Sequence, residues 1–316
     1  MLLNPLVLTN LLLDTIFVLL GFIAFFVSLE ILLKYKPQSY TQEEFLLQKK
    51  AYLSSTIISY ILTLKIPLFL FFIYTLNALA PLLKGAMCSV GVLEGSVYGI
   101  YLMIIKVIAL YLFGFWIVLH KKDIASPYQA YLRLKSWYFL VIYIVLVVEY
   151  ILEINYFLDL QPDALVDCCG VVFSPNKTTL IATLLSVPNY LQYGFFYFLY
   201  GVIVLGFFTQ KKLLYSFATI VFIPTALISL IAYFGTYIYE LPTHHCPFCL
   251  LQADYYYIGY FLYSFLFLGT FLGIALTLYN LGRKIFQLSF IFITLYVIVV
   301  SCYPLFYFIK NGVWLY

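Results

Sequence analysis

The densest set of reactive side chains in the 316-residue sequence is His244-His245-Cys246-Pro247-Phe248-Cys249. A thiolate, unlike a thiol, is both a nucleophile and a metal ligand. Two cysteines three positions apart can therefore exchange between dithiol and disulfide, hold a soft metal ion, or staple a loop. Proline suits the first turn of a helix. A helix opening at Pro247 would turn its positive end toward the Cys246 sulfur, and a protonated histidine beside it would further lower the thiol pKa. This spacing predicts Cys246 and Cys249 as a redox pair at a helix start. The alternative is a copper or zinc site on His244, His245, Cys246 and Cys249, since both metals accept sulfur and imidazole nitrogen.

The remaining cysteines are Cys88, the adjacent pair Cys168-Cys169, and Cys302. Neighbouring Cα atoms lie about 3.8 Å apart, below the usual disulfide range of about 4.4–6.8 Å. Cys168 and Cys169 are thus expected to pair elsewhere or to bind a metal, with Cys88 as the partner of one of them in a second catalytic pair or a loop staple. Cys88 and Cys246 are each followed at the same intervals by Leu93 or Leu251, Glu94 or Gln252, and Tyr98 or Tyr256. These matches hint at a repeated helical hairpin with a cysteine at its turn.

The elements that must carry these residues are membrane spans. The chain is 65% hydrophobic and 9% charged, with mean hydropathy +1.03, whereas soluble domains carry about 25% charged residues. About twenty apolar residues cross a bilayer. Eight such segments are predicted, at 11–33, 54–80, 96–119, 137–157, 180–208, 213–239, 255–281 and 285–309, with Pro67, Pro188, Pro224 and Pro304 inside them. The expected fold is an all-α polytopic membrane helical bundle forming one domain over 1–316. No segment is polar and long enough for a soluble module, and no basic run suggests nucleic acid.

Basic residues set the orientation. Lys34, Lys36, Lys49 and Lys50 fall at the first connection and Lys121, Lys122, Arg133 and Lys135 at the third; Lys211 and Lys212 mark the fifth, and Arg283 and Lys284 the seventh. These are twelve of the seventeen basic residues, so the odd connections are read as cytoplasmic and both termini as extracytoplasmic. All six cysteines then fall on the outer half of the protein. The first ten residues lack Lys and Arg, so the first span is expected to be retained rather than cleaved. Asn176-Lys177-Thr178 is an external sequon, relevant only in a eukaryotic secretory pathway. The expected setting is a bacterial or archaeal cell membrane, with the lipid bilayer and an extracytoplasmic thiol or metal-carrying protein as partners.

Four ionisable residues fall deep inside spans: Lys65, Lys106, Glu149 and Glu153. Such groups are costly in a bilayer and should face the bundle interior. Glu149 and Glu153 share a helix face, and Lys106 lies at the depth of Glu149, so these two are predicted to pair, with Lys65 as competing cation. They could form a structural ion pair, a proton path, or a cradle for an anionic or quinone headgroup. Asp14 and Glu30 are placed near span ends, as snorkelling or capping groups.

Cys246-Pro247-Phe248-Cys249 resembles the active site of glutaredoxins over those four positions. The layout of cysteine pairs at outer helix ends is similar to that of the quinone-linked disulfide-generating family and the vitamin K epoxide reductase family, which are four-helix bundles. These resemblances imply a membrane thiol–disulfide oxidoreductase that passes oxidation between pairs through mixed disulfides. The alternatives are a metal-handling or electron-transport assembly protein, and a transporter or scaffold with structural disulfides. The chain has no Walker loop, no His-Glu-x-x-His and no haem-attachment CxxCH.

Overall fold

The computed structural model describes residues 2–35, 42–86, 88–126, 129–161 and 187–315. The described residues are helical, without strands. Among the described residues, eight helices are long and apolar enough to span a membrane, giving an integral multi-pass protein in a lipid bilayer. In chain order the α-helices are α1 (Pro5–Lys34), α2 (Gln42–Leu79), a short α3 (Ser89–Glu94), α4 (Gly99–Ala125), α5 (Leu132–Asp159), α6 (Asn189–Phe208), α7 (Lys212–Ser229), a short α8 (Gly235–Tyr239), α9 (Ile258–Leu278) and α10 (Arg283–Asn311). Cys168, Cys169 and the sequon lie outside the described residues.

The contacts group the chain into two compact units, one of 1–84 and 92–166, the other of 85–91 and 167–316. The first is a ring of four long helices in which α1 packs on α2 and α5, and α4 packs on α2 and α5. The second is built on α6, α7, α9 and α10, with α6 on α7, α7 on α9, and α9 on α10.

Helix α1 shows how the sequence selects this packing. Asn4 caps it, its side-chain oxygen accepting from the Leu6 N–H at 3.0 Å, and Pro5 fills the first helical position, where no donor is needed. One face exposes Leu12, Ile16, Leu19, Ile23 and Phe26, while the other buries Asn10, Asp14, Gly21, Ala24 and Ser28. In a bilayer the lipid is as apolar as leucine, so small and polar residues are the ones that turn inward and hold helices together. On α9, Gly269 and Gly273 do the same. A Cβ on Gly269 would stand 2.7 Å from an Ile293 side-chain carbon, and one on Gly273 would stand 3.0 Å from the Ser289 hydroxyl. Ser289 donates to the Gly269 carbonyl at 2.7 Å and Ser216 to the Gly273 carbonyl at 2.6 Å.

Two boundary expectations are corrected. Pro188 is not inside a span but caps α6 from outside, where a residue without an N–H costs nothing. Asp14 is not a span-end group. Because α1 starts at Pro5, Asp14 sits more than two turns in and is buried. Glu30 behaves as expected, pairing at the surface with Lys34 and with Lys50 of α2.

Candidate functional site

Cys88, Cys246 and Cys249 converge within the second unit. Their sulfurs all lie within 4.8 Å of one another, and Cys88 Sγ stands 3.3 Å from Cys246 Sγ. A disulfide bond is about 2.05 Å long, so the sulfurs stand as thiols. All three are buried, with 1%, 1% and 7% of their surface exposed respectively. Cys302, half-buried on α10, does not belong to the group.

Two loops bring the sulfurs together. Gly85, at φ +91°, gives the chain a left-handed step after the turn of Ala80–Leu82, and Cys88 follows just before α3. The second loop runs between α8 and α9. Tyr239 at the end of α8 donates its hydroxyl to the Cys246 carbonyl, and Tyr263 of α9 donates to the Pro247 carbonyl at 2.6 Å. A π-helical turn at Leu230–Phe234 shifts the hydrogen-bond register of this span, and the Ile231 carbonyl lies 3.0 Å from His245 Nδ1. Such π insertions into α-helices recur at functional sites. Three side chains thus fix the backbone on which Cys246 and Cys249 sit.

The helix-start geometry expected for Cys246 is not what the structure has. Cys249–Leu251 form a three-residue 3-10 turn, and α9 begins only at Ile258. Between them Tyr256 and Tyr257 take left-handed φ values of 52° and 55°, which halts any helix running from Pro247. A single short turn supplies no macrodipole to a thiol. Burial holds His244 below its ordinary value, which disfavours the charged ring there.

The expected metal set changes accordingly. The histidines stand outside the three-sulfur group, and Cys88 enters it. His245 anchors the loop to Ile231. His244 packs edge-on against Tyr239 at 4.4 Å, and its buried Nε2 has no hydrogen-bond partner. The matched intervals after Cys88 and Cys246 do not extend to the backbone, since Tyr98 is right-handed at φ −81° and Tyr256 is left-handed.

Gly259 packs directly under the cysteine loop. A Cβ there would stand 2.9 Å from the Leu250 backbone carbonyl carbon. Gly259→Ala is therefore expected to push the loop off α9 and cost about 1–3 kcal/mol, read as a lower melting temperature together with faster alkylation of Cys249. Unchanged alkylation would show that the loop is not seated on this glycine.

A second polar constellation fills the first unit. Lys106 Nζ donates to Glu149 Oε1 and to Glu153 Oε2, both at 2.7 Å. Lys65 Nζ donates to the same Glu149 oxygen and to Asp14 Oδ1, both at 2.9 Å. The expected pairing of Lys106 with Glu149 is present, with Lys65 sharing the carboxylate rather than competing for it. Sequence reasoning missed Asp14, although the Asn4-Pro5 cap was a readable sign that α1 starts early enough to bury it.

No family model matches the chain, and no curated protein or solved structure matches it. The functional reading therefore rests on these two constellations alone.

Proposed function

We propose that the protein holds one soft metal ion, copper(I) or zinc, on Cys88, Cys246 and Cys249 at the extracytoplasmic face of the membrane, as a metal-handling or electron-transport assembly factor. The observation that carries this reading is the convergence of three buried sulfurs from two separate loops. An ion about 2.3 Å from each sulfur would set them about 3.8–4.0 Å apart; Cys88 and Cys246 stand at 3.3 Å, and all three sulfurs lie within 4.8 Å of one another. Thiolate ligands select copper(I) and zinc over harder ions. Copper(I) is satisfied by three thiolates, while zinc takes a fourth donor, for which the buried, unpartnered Nε2 of His244 is a candidate in the same loop.

Burial separates this reading from thiol–disulfide exchange. A catalytic thiol must be reached by the partner it attacks, so reactive cysteines are partly exposed. Cys246, the sulfur that would attack first, is 1% exposed. The 3.3 Å approach of Cys88 to Cys246 keeps the exchange reading specific: its first disulfide would join these two loops rather than Cys246 to Cys249.

The deciding measurement is elemental analysis of the full-length protein purified in detergent without added metal, with thiol trapping on the same sample. One copper or zinc per chain, and alkylation of Cys88, Cys246 and Cys249 only after a chelator, is the expected result. Metal-free protein that binds neither ion on titration would overturn the metal reading. A Cys88–Cys246 disulfide that forms and reduces reversibly in cells would replace it with the exchange reading.

A further inference from the structure

The first unit encloses three carboxylates, Asp14, Glu149 and Glu153, and two ammoniums, Lys65 and Lys106, all buried. The carboxylates each offer an oxygen within 4.8 Å of the others. Each long helix of the unit contributes: Asp14 from α1, Lys65 from α2, Lys106 from α4, and Glu149 and Glu153 from α5. Lys106 also sits over the Phe72 ring, 4.6 Å from its centre. Three negative groups against two positive ones leave one negative charge unbalanced. An ionised carboxylate without a counter-charge is among the costliest groups to bury.

The hydrogen bonds show where the imbalance falls. Every Lys–carboxylate bond uses Asp14 Oδ1, Glu149 Oε1 or Glu153 Oε2. Asp14 Oδ2, Glu149 Oε2 and Glu153 Oε1 are buried with no hydrogen-bond partner, but Glu149 Oε1 accepts from both ammoniums, which leaves Asp14 and Glu153 the less compensated; Asp14 Oδ2 reaches Lys106 only at 3.9 Å. Asp14 and Glu153 each bring an oxygen within 4.8 Å of the other's, and their exposures are 1% and 0%. Two bare carboxylate oxygens in such a place repel. With one proton added, one carboxyl becomes a donor and the other its acceptor, and the orphan oxygens of Asp14 and Glu153 are satisfied.

We infer that the first unit binds one exchangeable proton between Asp14 and Glu153, making this cluster a proton-carrying site within the membrane domain. The binding step is a simple acid–base equilibrium: a proton adds to one oxygen of the pair, and the cluster goes from one net negative charge to neutral. A proton needs no coordination shell, whereas a sodium ion would need several oxygens, and the ammoniums already occupy one oxygen of each carboxylate. An anionic headgroup would face a cluster that is negative or neutral, with both lysines engaged. The inference is independent of the metal reading, which involves other residues in the other unit.

Infrared spectroscopy of the full-length protein in lipid nanodiscs tests it. At neutral pH the expected spectrum has the carbonyl band of a protonated, buried carboxyl, shifted in D2O and moved by carboxyl-labelled Asp or Glu. Glu44, buried at the start of α2, is another carboxyl that could give such a band, and Glu44→Gln removes its share. The band assigned to the pair should vanish in Asp14→Asn, although Glu153 is intact, and equally in Glu153→Gln. Both variants restore charge balance and should fold; the labelled wild type gives the answer even if one does not. Absence of the band in labelled wild type, or its survival in Asp14→Asn, would overturn the inference. Loss of the band when sodium replaces choline at constant ionic strength would overturn it in favour of a sodium site.

Discussion

Cys246→Ser is expected to empty the metal site, lowering metal affinity by more than about 100-fold, because even removing a hydrogen bond behind a ligand costs about 10–100-fold. The substitution removes one thiolate and leaves two sulfurs, Cys88 and Cys249, which fall short of zinc's four-coordinate shell and offer copper(I) two ligands in place of three. Cys88→Ser and Cys249→Ser should do the same, singly and to a similar degree, because all three sulfurs belong to one mutual group. Cys302→Ser should leave metal content unchanged, since Cys302 stands apart on α10. The comparison that matters most is Cys88→Ser against Cys302→Ser, measured as metal per chain and as competition against a chelator of known affinity. If Cys88→Ser retains its metal while Cys246→Ser loses it, the ion sits on the Cys246–Cys249 loop alone and the three-sulfur site is wrong.

That Cys88 belongs to the site was not legible in the sequence. A spacing of three marks Cys246 and Cys249 as a pair, because short-range geometry alone brings them near each other. Cys88 is 158 positions from Cys246, and nothing local to it says which loop it will meet. The opposite failure occurred at Pro247. Its position after a cysteine is a sound helix-start signal, yet two tyrosines in left-handed conformation break the chain before α9, and tyrosine is not a residue that announces a positive φ. The helices themselves were readable, since a segment such as 11–33 is apolar over most of its length, enough to cross a bilayer. The charges inside them were readable too: Lys65, Lys106, Glu149 and Glu153 stand out against apolar neighbours and have to meet. Asp14 was misplaced only because hydropathy rises after Asn10, whereas the cap at Asn4 sets where the helix begins.

Lys106→Met should be the most destabilising single change in the first unit, at about 3–5 kcal/mol, the cost of removing one partner from a buried ion pair. Methionine fills the same volume and keeps the contact with Phe72, so packing contributes little and the loss is electrostatic. Lys106 donates to both Glu149 and Glu153. Without it, three buried carboxylates share the single ammonium of Lys65. The same physics predicts rescue. Adding Glu153→Gln to Lys106→Met removes a buried carboxyl that has lost its ammonium donor, and the double variant should recover part of the lost stability, with a coupling of about 0.5–3 kcal/mol. Thermal unfolding in detergent, followed for wild type, both single variants and the double, closes the cycle. Additive losses would mean that Lys106 and Glu153 do not share one electrostatic unit, and a stable Lys106→Met would mean that the carboxylates are already neutral without it.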